Sequence, residues 1–280
     1  MFDFIANTFG YLLNFLYILL NNYGLAIIIF SILIKLLLLP LTIKQQKTME
    51  KTTKMQEEMK ALQFKYKNDP DKLNKEMMDM YKRENMSPFS GCLSSIAQII
   101  LILAVFYLVR SPLTYMKKVD TNIIKDYENK LKEITTVSAY PEVQIIKEFG
   151  EENENLYINM HFLGLDLSSV PTSNMKDIKT LIIPILYVIS SIISTKITMK
   201  KQNKDNKEIE VKEGEEKEES MEEMMQNTTK SMSYMMPIMA FSISLVAPLG
   251  LALYWLMSNV LMIIERICID KFMIKKEEEL

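Results

Sequence analysis

Residues 25–39 read Leu25-Ala26-Ile27-Ile28-Ile29-Phe30-Ser31-Ile32-Leu33-Ile34-Lys35-Leu36-Leu37-Leu38-Leu39, an apolar run interrupted by a hydroxyl and an ammonium. With its flanks the run reaches from Tyr23 to Leu41, enough to cross about 30 Å of hydrocarbon as a helix. A cation near the centre of such a helix costs roughly 2.5–3.5 kcal/mol on insertion scales, so it needs a partner or a wet cavity. Snorkelling does not supply one. Lys35 lies nine residues before Lys44, ~13 Å at helical rise, farther than one lysine stem spans comfortably. Lys35 is therefore a candidate functional residue, internal and water-exposed.

The 280 residues are 49% hydrophobic and 24% charged, a mixture that suits a chain whose apolar and charged residues are segregated. Apolar runs at Phe89 to Val109, Leu181 to Met199, Met232 to Ala247 and Leu249 to Ile269 join the first. The expected fold is all-α: a polytopic membrane protein with five transmembrane helices, at 23–42, 88–110, 178–199, 231–247 and 249–269. No Lys or Arg precedes Lys35, whereas Lys44, Lys47, Lys51 and Lys54 follow the first span, which places the N-terminus outside. Five spans then leave the C-terminus and its tail, 270–280, in the cytosol, where Arg266, Lys271, Lys275 and Lys276 agree. Asp3 and the missing basic n-region argue against a cleaved signal peptide, and a bacterial plasma membrane is the expected location. Cys92 and Cys268, at predicted cytosolic span ends, make no disulfide framework and read as packing residues.

Between the spans the pattern changes. In residues 1–22, Asn7, Asn14 and Asn21 recur every seven positions on one helical face, as in an interfacial helix lying on the outer surface; a sixth span is the alternative. Residues 43–87 read as a cytosolic helical hairpin, with Met55, Met59, Leu62 and Tyr66 in one arm, Leu73, Met77 and Met80 in the other, and Asp69-Pro70 as cap and first turn between them. The external loop, 111–177, holds amphipathic stretches at Ile123 to Ile134 and Glu142 to Phe149. Residues 200–230 are a Lys/Glu-rich cytosolic loop.

Catalytic patterns are absent from the sequence: His161 is the single histidine, no Cys/His metal spacing occurs, and no Gly-rich phosphate loop is present. An enzyme is not expected, nor a cofactor, a metal or sequence-specific nucleic-acid binding. Polar residues inside the spans are the stronger signal, because lipid cannot satisfy them. Ser94, Ser95 and Gln98 in the second span, Ser191, Ser194, Thr195 and Thr198 in the third, and Trp255, Ser258 and Asn259 in the fifth fall at helical spacings and would line, with Lys35, one hydrophilic groove. Read alone, the third-span stripe is more often the pattern of close helix packing than of a groove lining.

Several local motifs now combine. Ser87-Pro88-Phe89 with Gly91-Cys92-Leu93 and Gln98, Phe162-Leu163-Gly164-Leu165-Asp166-Leu167, Met236-Pro237-Ile238-Met239, Pro248-Leu249-Gly250-Leu251, and Tyr254-Trp255 through Ser258-Asn259 resemble the YidC/Oxa/Alb membrane protein insertases over nearly the whole chain. The resemblance implies an insertase and chaperone for client transmembrane segments, with a positively charged groove open to cytosol and lipid. Its implied partners are nascent membrane proteins, the lipid bilayer, and the ribosome and Sec translocon. The usual first-span arginine of that family is Lys35 here, a compact charge in place of a planar fork. On this reading Lys35 attracts client carboxylates, and Met55, Met59, Met77 and Met80 of the hairpin offer an adaptable apolar surface to clients or ribosome, unless they form the hairpin's own seam. The rival is a small-solute transporter or channel whose intramembrane Lys binds an anion; the lack of a visible inverted repeat counts against it.

Overall fold

Three helices run past the point at which their hydrophobicity ends. The computed structural model describes residues 2–67, 69–84, 90–173, 177–205, 235 and 237–278. Within them lie α1 (Phe2–Leu20), α2 (Tyr23–Lys65), α3 (Pro70–Arg83), α4 (Ser90–Arg110), α5 (Thr121–Ile134), α6 (Pro141–Phe149), a two-residue strand pair β1 (His161–Phe162) and β2 (Leu165–Asp166), then α7 (Ile182–Asp205), α8 (Pro237–Val246) and α9 (Leu249–Glu278). The first, third and fifth expected spans are only the opening parts of α2, α7 and α9. Lys, Gln, Glu and Met are good helix formers, so a fall in hydrophobicity does not stop a helix. What separates the hairpin arms is the Asp69-Pro70 cap, with the Asp69 carboxylate accepting from Lys72 N at 3.1 Å. Of the expected charged loop, residues 200–205 continue α7, and 206–230 lie outside the described residues, as do Ser87-Pro88-Phe89, Met236 and the start of the fourth span.

The chain divides into two compact units, one of residues 1–36, 102–197 and 213–280, the other of 37–101 and 198–212. In the second, α3 folds back on the latter part of α2. Arg83 Nη2 donates to both oxygens of Glu58 at 2.5 Å, and the Tyr81 hydroxyl lies 3.8 Å from Met59 Sδ. Met55 and Met80 are buried and Met59 and Met77 half-buried. Met55 and Met80 therefore belong to the seam rather than to a surface offered to a partner; among the described residues of the hairpin, the large apolar side chains left exposed are Phe64 and Met78.

In the first unit, α1 is held at both ends by the connection between α4 and α7. Near its start, a Cβ on Gly10 would overlap the carbonyl of Tyr115, in the π-helical turn Leu113–Lys117. Tyr115 donates to Asp3 at 2.6 Å, and Lys118 donates to Asn7. At its other end, Tyr17 accepts from the Asn159 amide at 2.8 Å, while Asn159 Nδ2 donates to the Asn21 carbonyl at 2.9 Å. Asn21, at φ 46°, turns the chain into α2, whose cap is Asn22, accepting from Leu25 N at 3.0 Å.

The strand pair is closed by Leu163 and Gly164 at φ 50° and 77°, the two left-handed residues of a tight hairpin turn. Its Phe162 ring lies on α2 where Gly24 has no side chain. Beyond it, Asp166 accepts from Ser168 N, Ser168 Oγ and Ser169 Oγ at 2.9, 2.6 and 2.9 Å. That fixed turn presents the carbonyls of Ser169 and Leu167 to Leu249 N and Gly250 N, both at 2.9 Å, satisfying orphan donors in the first turn of α9. Two motifs separated by 80 residues in the chain thus form one junction.

Burial alone would raise the Asp166 carboxyl, but the donors of Ser168 and Ser169, with Lys147 beyond, hold it below its ordinary value of 3.8. A carboxylate with a lowered folded pKa stabilises above its unfolded pKa and loses that contribution as pH falls through the folded one. Asp166→Asn should therefore cost about 1.5–3 kcal/mol at neutral pH. In thermal unfolding of detergent-solubilised protein, the gap from wild type should close as pH drops below 3.8.

Candidate functional site

Lys35 meets a carboxylate. Its Nζ lies 3.2 Å from Glu265 Oε2 on α9, with the lysine side chain 27% exposed and the glutamate 8%. The meeting follows from the far ends of the two helices. Gly250 packs against the ring of Tyr23 and against Ile27, so α2 and α9 begin level. Running parallel from there, Lys35 is twelve residues beyond Tyr23 and Glu265 fifteen beyond Gly250, ~18 and ~22 Å along helices rising 1.5 Å per residue. Two long side chains close the difference. The second oxygen, Glu265 Oε1, is buried without a hydrogen-bond partner among the described residues.

The third member is α7. Its Tyr187 ring lies 6.1 Å from Trp255 of α9, and Asn259 Nδ2 reaches Ser190 Oγ at 3.4 Å, while Ser190 itself donates to the Tyr187 carbonyl at 2.7 Å. These pairs ascend together, so α7 also runs parallel to α9. Ile185, Leu186, Ile189, Ile192 and Ile193 are exposed, whereas Ser190 is buried. The polarity of a water-soluble helix is inverted here, apolar outward and polar inward, as lipid surroundings demand. Helices α2, α7 and α9 each hold a segment long and apolar enough to cross a membrane, as does α1.

The structure brings together much of the expected set. Lys35, Trp255, Ser258 and Asn259 are half-buried on helices of one unit. Ser191, Ser194 and Thr195 are half-buried on α7, but Ser190, one position earlier, makes the link to Asn259. Ser94, Ser95 and Gln98 lie on α4, and their side chains, like that of Cys92, fall outside the described residues. Cys268 is exposed, not a packing residue.

Lys35, expected to be internal and water-exposed and to need compensation, has a resident carboxylate in Glu265. In the sequence Glu265 adjoins Arg266, which reads as part of the basic end of the last span. The signal was present: Ser258 and Glu265 are seven residues apart, on one helix face.

Comparisons with known proteins agree on one family. The family model described as 60Kd inner membrane protein matches residues 15–277. Among curated relatives named membrane protein insertase YidC, that of Treponema denticola is 26% identical over 95% of this chain and 37% of its own length. The relative from Fusobacterium nucleatum is 37% identical over 40% of this chain and 54% of its own length. A third, from Chlorobaculum parvum, is 46% identical over 32% of this chain. The chain thus spans about a third to a half of the length of the first two relatives.

Removing one partner of a buried ion pair leaves the other uncompensated, at a cost of about 3–5 kcal/mol. Lys35→Met should lower the thermal midpoint accordingly. Lys35→Met with Glu265→Gln should recover most of the loss, a coupling that a double-mutant cycle in detergent measures.

Proposed function

Because the chain belongs to the 60Kd inner membrane protein family, we propose that it inserts client transmembrane segments into the bilayer, through a hydrophilic groove built on α2, α7 and α9. The observation that carries this reading is a cation held midway along a membrane-length helix, beside half-buried polar side chains on two parallel neighbours. Such an arrangement supplies water and charge where lipid offers neither. A client segment with an acidic tail would place its carboxylates near Lys35, which lowers the cost of their passage through the apolar layer. Partition of the client's apolar residues into lipid then drives release.

In this reading α2, α7 and α9 begin at the outer face and end in the cytosol, where the α2–α3 hairpin projects with Phe64 and Met78 exposed as contacts for clients or ribosome. Helix α1 lies along the outer surface. Support comes from its two tethers, at Tyr115 and Asn159, which belong to one connection and hold both ends of a 19-residue helix.

The test is charge reversal. In a strain depleted of its own insertase, Lys35→Glu should reduce insertion of acidic-tailed single-span clients by roughly tenfold, equivalent to about 1.4 kcal/mol. Protease protection of the client tail reads the effect. Normal insertion by that variant overturns the charge mechanism. In liposomes, solute flux without client insertion would favour a transporter instead.

A further inference from the structure

We propose that Glu265 is a displaceable resident counter-ion, which competes with client carboxylates for Lys35 and thereby sets how strongly the groove prefers acidic segments. The inference rests on the reading of Lys35 as a client-binding charge and adds a residue that nothing in that reading required.

The contact is incomplete in a way that favours exchange. One carboxylate oxygen takes a single ammonium contact at 3.2 Å, and the other, Oε1, is buried with no hydrogen-bond partner among the described residues. A buried carboxylate with one oxygen unsatisfied is a weakly held partner, because the remaining lone pairs were desolvated without compensation. The ammonium carries three donors and the lysine side chain is 27% exposed, so a second carboxylate can approach before the first leaves. Exchange can therefore pass through a shared intermediate rather than a bare charge.

The pair also answers the resting-state problem. Without a client, Glu265 neutralises Lys35 in its own span. With one, the arriving carboxylate takes that role, and Glu265 is displaced from the ammonium. A neutral tail gains nothing from displacing Glu265. Selectivity then follows from competition: the stronger the resident anion, the smaller the advantage of an acidic tail.

The experiment uses the full chain in liposomes and two synthetic single-span peptides that differ only in Asp or Asn tail residues, each bearing a tail diazirine for photo-crosslinking. The readout is the ratio of acidic to neutral capture, which general damage to the groove lowers in both arms without changing. Glu265→Gln should raise the ratio about five- to tenfold, and Glu265→Asp, with a longer pair, by a smaller factor. Lys35→Gln should bring the ratio down, and Lys35→Gln with Glu265→Gln should stay below wild type. A ratio unchanged or reduced in Glu265→Gln, or a double variant that keeps the elevated ratio, overturns the proposal. Should Glu265→Gln fail to fold by circular dichroism, Glu265→Asp decides by the same criterion. A ratio unaffected by Lys35→Gln overturns the Lys35 reading and this proposal with it. One that falls there but does not rise in Glu265→Gln overturns this proposal alone.

Discussion

Hydrocarbon cannot solvate an ammonium, and the arrangement around Lys35 answers that constraint. The charge is tolerated because α9 delivers Glu265 to the same depth. Depth matching depends on where the helices start, and the start is set at the other end of the molecule. Leu249 N and Gly250 N are tied to Ser169 and Leu167, and Gly250 rests on Tyr23. A shift of one helical turn at that junction, 5.4 Å, would carry Glu265 out of reach. The polar turn organised by Asp166 is thus coupled to an ion pair about 20 Å away, through two rigid helices.

The inverted polarity of α7 shows how the same constraint shapes packing. Inside a membrane no hydrophobic force draws helices together, since lipid tails are as apolar as leucine. Small and polar groups therefore take the inward positions, as Ser190 and Asn259 do, and isoleucine faces outward. These polar groups link the helices, and in the proposed groove the same side chains would line the path. Stability and function draw on the same side chains.

Much of this was legible in the residues. Run lengths located the apolar segments, the anomaly at Lys35 pointed to the residue that meets Glu265, and Asp69-Pro70 marked the turn between α2 and α3. Three features were not. Helix ends do not follow from the spans, because hydropathy ends at the membrane surface whereas helix propensity does not; α2 continues to Lys65, α7 to Asp205 and α9 to Glu278. Methionines on the hairpin read as a contact surface, yet a helical stripe does not say which of its members an adjoining arm covers, and in the packed hairpin Met55 of α2 and Met80 of α3 are buried. Glu265 was hidden by its neighbour Arg266: a charge near a span end reads as interfacial unless the helix opposite is known to carry its complement at the same depth.

That complement bears on why the first span carries lysine. An arginine fork facing Glu265 would engage both carboxylate oxygens in parallel bonds, giving a planar, well-satisfied pair. The ammonium makes one contact at 3.2 Å and leaves Oε1 buried without a partner among the described residues. A bidentate pair holds its carboxylate by two bonds, whereas a single-contact pair holds it by one and so costs less to exchange. Under the proposed exchange, lysine at position 35 and glutamate at position 265 form a combination in which neutralising the resting charge and releasing it to a client are compatible demands.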